Sequence, residues 1–227
     1  MVFPSLLVIL MWAVRLVETI GGYDFGFLGI YPLKWYGLPG IITTPFIHSG
    51  FSHLIANTVP MIVLGSALFY FYKDIAFRIL IMIWLFTGFW VWVSGRESYH
   101  IGASGIVYGL AAFILVSGII RRHTGLMAMA LVVVFLYGSL IWGIFPEFFP
   151  HENISWESHL FGLVAGISLA FFYRKEGPQR KVYEWELEAG QDDGHEDDVE
   201  SDDGAYWNIT LSDEEIKEIR HIYKKRG

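Results

Sequence analysis

Apolar residues dominate the chain up to about residue 175 in long runs broken by short polar or glycine-rich joints, and this is the pattern of helices that cross a bilayer. Val2 to Ile20 is apolar except for Ser5, Arg15, Glu18 and Thr19, and at 1.5 Å per residue it is about long enough to cross a hydrocarbon core of roughly 30 Å. No base precedes this run and no A-x-A site follows it, so it is expected to be a retained span rather than a cleaved leader. Further runs at about 53–72, 76–94, 104–120, 125–145 and 157–173 bring the expected spans to six. The connection 21–52, rich in Gly, Pro, Tyr and Trp, is too long for a turn and is expected in the headgroup layer.

The basic residues of the connections set the orientation. Lys73, Arg78, Arg121, Arg122, Arg174, Lys175, Arg180 and Lys181 fall on one side of such a bundle, and Lys34 and Arg96 on the other. Both termini are therefore expected in the cytoplasm, as in a bacterial-type plasma (inner) membrane, with 21–52, 95–103 and 146–156 facing outward. Arg15 and Glu18, three apart, are expected to pair on one helix face near the surface.

Composition agrees with this division. Hydrophobic residues make up 54% of the chain and aromatics 17%, above the apolar share of roughly 45–50% usual in soluble domains. The net charge of −7 averages two unlike parts. Glu184 to Asp203 contains eleven acids and no Lys or Arg, while the rest of the chain is mildly basic. The expected organisation is a membrane domain at 1–176, an acidic, unstructured linker at 177–210, and a short amphipathic helix at 211–227. In that helix Ser212 and Glu215 form a capping box and Leu211, Ile216, Ile219, Ile222 and Tyr223 share a side. Cysteine is absent, so thiolate metal sites, disulfides and cysteine nucleophiles are excluded.

Polar groups inside a membrane are costly unless they are hydrogen-bonded together or used. Four stand out. His53 and Asn57, four apart, share one helix face, and each can donate a hydrogen bond towards one point; an interhelical tie is the plainer use of such a pair. Ser104 opens a span directly after the polar loop Ser94–His100, where the helix is expected to start below the surface beside a water-accessible cavity. His159 opens the last span, with Gly162 and Gly166 close to its face. Gly105 and Gly109 adjoin Ser104 in the same small-xxx-small spacing, which alone means only close helix packing. Packing these two glycine faces together would bring the His159 imidazole to the Ser104 hydroxyl, with Tyr108 one turn on to stack against the ring.

This combination points to nucleophilic acyl transfer. His159 takes the proton of Ser104, the oxygen attacks a peptide carbonyl, and the proton passes to the leaving amine. His53, Asn57 and the Ser104 N–H are placed to hold the oxyanion, and no acid is placed to orient His159, so the pair is read as a dyad.

These residues resemble the rhomboid family of intramembrane serine proteases over about residues 1–175. The resemblance rests on His48 and His53-x-x-x-Asn57, on Gly102-Ala103-Ser104-Gly105 with Tyr108, and on His159-x-x-Gly162-x-x-x-Gly166, in this order. It implies an all-α six-span bundle, a nucleophile at Ser104, a base at His159, an oxyanion hole lined by His53 and Asn57, and a structural role for His48 in the outer loop. It also implies no metal or cofactor, substrates that are membrane-spanning helices, entry between the second and fifth spans, and residues 146–156 as a cap. The Trp-Arg pair of many members is absent from the first outer loop, where Leu38-Pro39 stands, and the glutamate often found four residues after the second-span glycine is Phe69. The alternatives are a non-catalytic protein that binds or escorts client helices and, with less support, a transporter. Nucleic acid is not an expected partner, and the oligomeric state and physiological substrate are left open.

Overall fold

A computed structural model describes residues 2–136 and 155–178. The expected continuation of the fifth span beyond 136, most of the cap including Gly143, Pro146 and Pro150, the linker beyond 178 and the C-terminal helix lie outside the described residues. Within them the chain is helical, with α1 at Val2–Gly21, a single turn α2 at Gly40–Thr43, α3 at Phe51–Phe71 and α4 at Ala76–Ser94. It continues with α5 at Ser104–Ile120, α6 at Thr124–Leu136 and α7 at Trp156–Phe172. No strand occurs among the described residues; Ile30 and His100 form one isolated bridge.

Helices α1, α3 and α4 are long and apolar enough to cross a membrane, while α5 and α7 are apolar but shorter, at 17 residues each. Large side chains on α1, α3 and α4 face outward, among them Ile9, Ile55, Val59, Ile81 and Phe89. In water such a surface would drive association; against lipid tails it costs nothing. The protein is an integral membrane protein built as a helical bundle.

α5 is the central helix and packs against α3, α4, α6 and α7. Its residues are apolar all round, as a helix buried on every side requires. Leu110, Phe113 and Ile114 are fully enclosed. The closest packing is with α7, because both helices turn glycines towards each other. A Cβ on Gly162 would collide with the Gly105 carbonyl, and one on Gly166 with the Gly109 carbonyl. Backbones this near gain dispersion contact that lipid cannot supply.

The α5–α7 pair is tied at one end by Arg121. This buried guanidinium donates to the carbonyls of Tyr173 (2.5 Å) and Glu176 (2.7 Å) at the close of α7, and to that of Ser117 (3.4 Å) in α5. A cation here complements the partial negative charge that gathers on the carbonyls at a helix C-terminus. At the other end of the same pair lie Ser104 and His159.

The connection 22–50 folds as short 3₁₀ turns around α2 and is stitched to α4 and to the loop before α5. Trp92 Nε1 donates to Lys34 O (2.9 Å) and Trp84 Nε1 to Ile41 O (2.7 Å). Thr44 Oγ1 donates to His100 O (3.0 Å), and Gly102 N–H donates to Thr44 O (3.0 Å). The loop that carries Gly102 and Ala103 into Ser104 is thus fixed by hydrogen bonds from the first long connection. Arg15 and Glu18 pair at 3.2 Å, and Arg15 also donates to His48 O (3.3 Å), which ties the end of α1 to the loop before α3.

Candidate active site

Ser104 is the first residue of α5. Ala103 ahead of it has no side-chain oxygen to cap the helix, so the first N–H groups of α5 are not satisfied by the usual capping interaction. The hydroxyl is half-buried, and His159 is buried at 8% exposure. His159 Nε2 stands 2.9 Å from Ser104 Oγ, within hydrogen-bond reach across 55 residues of sequence. Tyr108, one turn along α5, lies parallel to the His159 ring with centroids 4.2 Å apart and an interplanar angle of 9°.

The other two polar groups flank this pair. Gly102 has φ +106°, a conformation that side-chain-bearing residues rarely adopt, and a Cβ there would lie 2.7 Å from His53 Cε1 and Nε2. The bare glycine therefore allows the imidazole to lie directly against the loop that ends in Ser104. Ser49 Oγ is 3.3 Å from His53 Nδ1. In the neutral ring whose Nδ1 accepts from Ser49, the proton is on Nε2, the nitrogen beside Gly102. Asn57 is buried and on the same face, but its amide donates to the His53 carbonyl one turn back (3.0 Å), so one of its two N–H groups is turned onto its own helix.

His48 stands behind His53, edge-on to its ring at 5.0 Å. It is buried, and neither ring nitrogen has a hydrogen-bond partner among the described residues. Burial, the neighbouring His53 and the Arg15 charge hold its pKa down to about 3 against a weaker opposing pull from the Phe46 backbone. The ring is thus held neutral. Beneath the loop lies a cavity of about 20 Å³ whose lining includes Thr44, Thr87, Gly102, Gly105 and Ser158. That volume accommodates a single water.

The structure therefore brings together Ser104, His159 and Tyr108, lays His53 against Gly102, sets Gly105 and Gly109 against Gly162 and Gly166, and places His48 beside His53 and Asn57 one turn along α3 from it. Sequence reasoning did not find the polar joint beside them. Glu157, in the first turn of α7, is 2% exposed, and its Oε1 accepts from Arg96 N–H (3.4 Å) and lies 3.5 Å from Arg96 Nε. His100 Nδ1 is 2.6 Å from Ser155 Oγ, which is 2.6 Å from Ser158 Oγ. Burial lowers the His100 pKa, opposed by the Arg96 carbonyl and then by Glu157. The signal available in sequence was an acid opening an apolar span.

Helices of this geometry define a class before any particular relative is considered, a membrane bundle with a serine and a histidine in contact at one end. The chain matches the family model described as Rhomboid domain over residues 34–176. It is 35% identical to an uncharacterized protein of Mycobacterium tuberculosis over 181 residues, which is 77% of this chain and 75% of that one. An uncharacterized protein of Mycobacterium leprae is 32% identical over 76% of this chain and 70% of its own. YdcA of Bacillus subtilis, whose name marks it as a candidate rhomboid protease, is 27% identical over 68% of this chain and 73% of its own. The chain belongs to the rhomboid family.

Proposed function

We propose that the protein is an intramembrane serine endopeptidase that hydrolyses peptide bonds in or near the transmembrane helices of other membrane proteins. The observation that carries this reading is the 2.9 Å contact between Ser104 Oγ and His159 Nε2. A serine hydroxyl is a weak nucleophile at neutral pH, and an imidazole within hydrogen-bond reach relieves it of its proton as the oxygen attacks, a contribution of about 10²–10⁴ in rate. The same imidazolium then protonates the leaving amine, and a water attacks the acyl-enzyme with His159 again as base. His53 Nε2–H, the remaining Asn57 N–H and the Ser104 N–H serve the oxyanion, a fully directed donor being worth roughly 3–4 kcal/mol in the barrier. Within this reading the bundle has six spans with both termini in the cytoplasm of a bacterial-type plasma membrane, and the substrate helix enters between the second and fifth spans. A stable helix hides its carbonyls, so helix-breaking and small residues at the cut site favour cleavage.

The test is cleavage of a reporter transmembrane helix by the purified protein, with the scissile bond mapped by mass spectrometry, beside labelling by a fluorophosphonate. Ser104→Ala and His159→Ala are each expected to abolish both. Cleavage that persists in Ser104→Ala would overturn the chemistry, and binding of the helix without cleavage by the unsubstituted protein would favour an escort role.

A further inference from the structure

Glu157 and His159 are two residues apart on α7, about 200° of helical rotation, so their side chains leave opposite sides of the helix. The carboxylate does not reach the imidazole. It reaches the loop Gly95–Ala103 instead, where Oε1 meets the Arg96 N–H (3.4 Å) and Nε (3.5 Å) and Oε2 faces His100 Nδ1 at 4.0 Å. His100 is itself held on three sides. Its backbone exchanges hydrogen bonds with Ile30 (2.8 and 3.0 Å), Nε2 is 3.1 Å from the Arg96 carbonyl, and Nδ1 is 2.6 Å from Ser155 Oγ, just ahead of α7. One buried carboxylate thus joins the loop that delivers Ser104 to the helix that delivers His159.

A carboxylate is a costly group to bury, and apolar residues would seal such a joint more cheaply. What the charge adds is direction, since Glu157 Oε1 meets the Arg96 N–H and guanidinium only in one register of loop against helix. Oε2 has no hydrogen-bond partner among the described residues and packs against the His100 ring at 4.0 Å, so the ionic part of the joint is the contact of Oε1 with Arg96. Neither end of the seam between α5 and α7 has another ionic tie between carboxylate and base among the described residues.

We infer that Glu157 is a positioning residue, which through Arg96 and His100 sets the separation of Ser104 Oγ and His159 Nε2. The inference rests on the reading of that pair as nucleophile and base. Misplacing reacting groups by 1 Å costs up to about 10²-fold in rate, so loosening the joint slows chemistry while leaving substrate binding alone.

The experiment compares Glu157→Gln, Arg96→Gln and the double variant with the parent protein in detergent. It reads the fluorophosphonate labelling rate, kcat and KM on a reporter helix, and the melting temperature. Glu157→Gln is expected to lower the labelling rate and kcat together by about tenfold to a hundredfold, with KM within about twofold. Arg96→Gln, whose side chain is 46% exposed, is expected to act in the same direction, and the double variant to be no slower than Glu157→Gln, because that substitution already removes the ion pair. Labelling of Glu157→Gln within about twofold of the parent, or a loss accounted for by its unfolded fraction, would overturn the inference. Were Glu157→Gln not to fold, Arg96→Gln with an unchanged labelling rate would overturn it equally. A parent protein that neither labels nor cleaves removes the nucleophile reading itself, an outcome distinct from a labelled parent matched by its variants.

Discussion

Tyr108 and His159 lie face to face, with ring centroids 4.2 Å apart and planes inclined by 9°. The two residues come from different helices, so the stack fixes the rotation of the imidazole against α5, the helix that begins with Ser104. Replacing the ring tests this directly. Tyr108→Phe keeps the aromatic face and Tyr108→Leu keeps bulk without it. Aromatic pairs contribute about 0.5–1.5 kcal/mol beyond burial, which corresponds to as much as about tenfold in rate. Tyr108→Leu is expected to be slower than Tyr108→Phe by up to that factor in fluorophosphonate labelling. Equal rates would mean that the stack does not orient the base.

The proposed oxyanion donors are not equivalent. His53 lies with Nε2 against Gly102, whereas Asn57 has already given one N–H to the His53 carbonyl at 3.0 Å. His53→Ala is expected to lower kcat by about 10²–10³, the range for loss of one such donor. Asn57→Ala is expected to lower it less. Gly102→Ala should be at least as damaging as His53→Ala, because the new methyl would meet the imidazole at 2.7 Å and φ is +106° there. The order of the three values of kcat on a reporter helix checks the assignment, and Asn57→Ala falling below His53→Ala would reverse it.

The glycine seam predicts stability as well as rate. Gly162→Ala places a methyl on the Gly105 carbonyl, and backbone cannot swing aside as a side chain can. Overpacking of this kind costs about 1–3 kcal/mol, and here it parts the two helices that carry Ser104 and His159. The variant is expected to melt earlier in detergent and to lose labelling. Gly50→Ala is the control. Its backbone is extended at φ −173° and nothing lies within 4 Å of the added methyl, so it should keep both.

Much of this arrangement was legible in the chain because helical periodicity is local. The spacing of Gly105 and Gly109, of Gly162 and Gly166, and of Ser104 and Tyr108 places each set on one face, and α4 and α5 occupy the residues that the apolar runs mark. The start of α3 was less legible: the helix opens at Phe51, two residues before the expected run, because Gly50 is the extended residue ahead of it. Least legible was the joint of Glu157 with Arg96 and His100. Glu157 is about 60 residues from Arg96 and His100, the three belong to a loop and a helix start, and they carry no periodicity; tertiary packing of α7 against α4 and α5 brings them together. The turn of Asn57 onto its own helix was equally hidden, since spacing gives a face and not a rotamer.

His48 makes the stability depend on pH, in a direction set by its burial. The ring sits edge-on to His53, Arg15 donates to the His48 carbonyl, and neither ring nitrogen has a hydrogen-bond partner among the described residues. Burial first, then these neighbours, lower its pKa from 6.5 to about 3. The folded protein therefore keeps the ring neutral where the unfolded chain takes up a proton. Stability from this group is whole above about pH 6.5 and is lost as the pH falls towards 3, at no more than about 1.4 kcal/mol per pH unit. Phenylalanine retains the edge-on packing and cannot titrate. Melting temperatures of the parent and of His48→Phe in detergent, taken at intervals from pH 7.5 to about 4, are expected to converge or cross as the pH falls, with the parent losing stability more steeply. Carboxylates titrate alike in both proteins and cancel in the comparison, so parallel curves would mean that His48 is not held neutral by the fold.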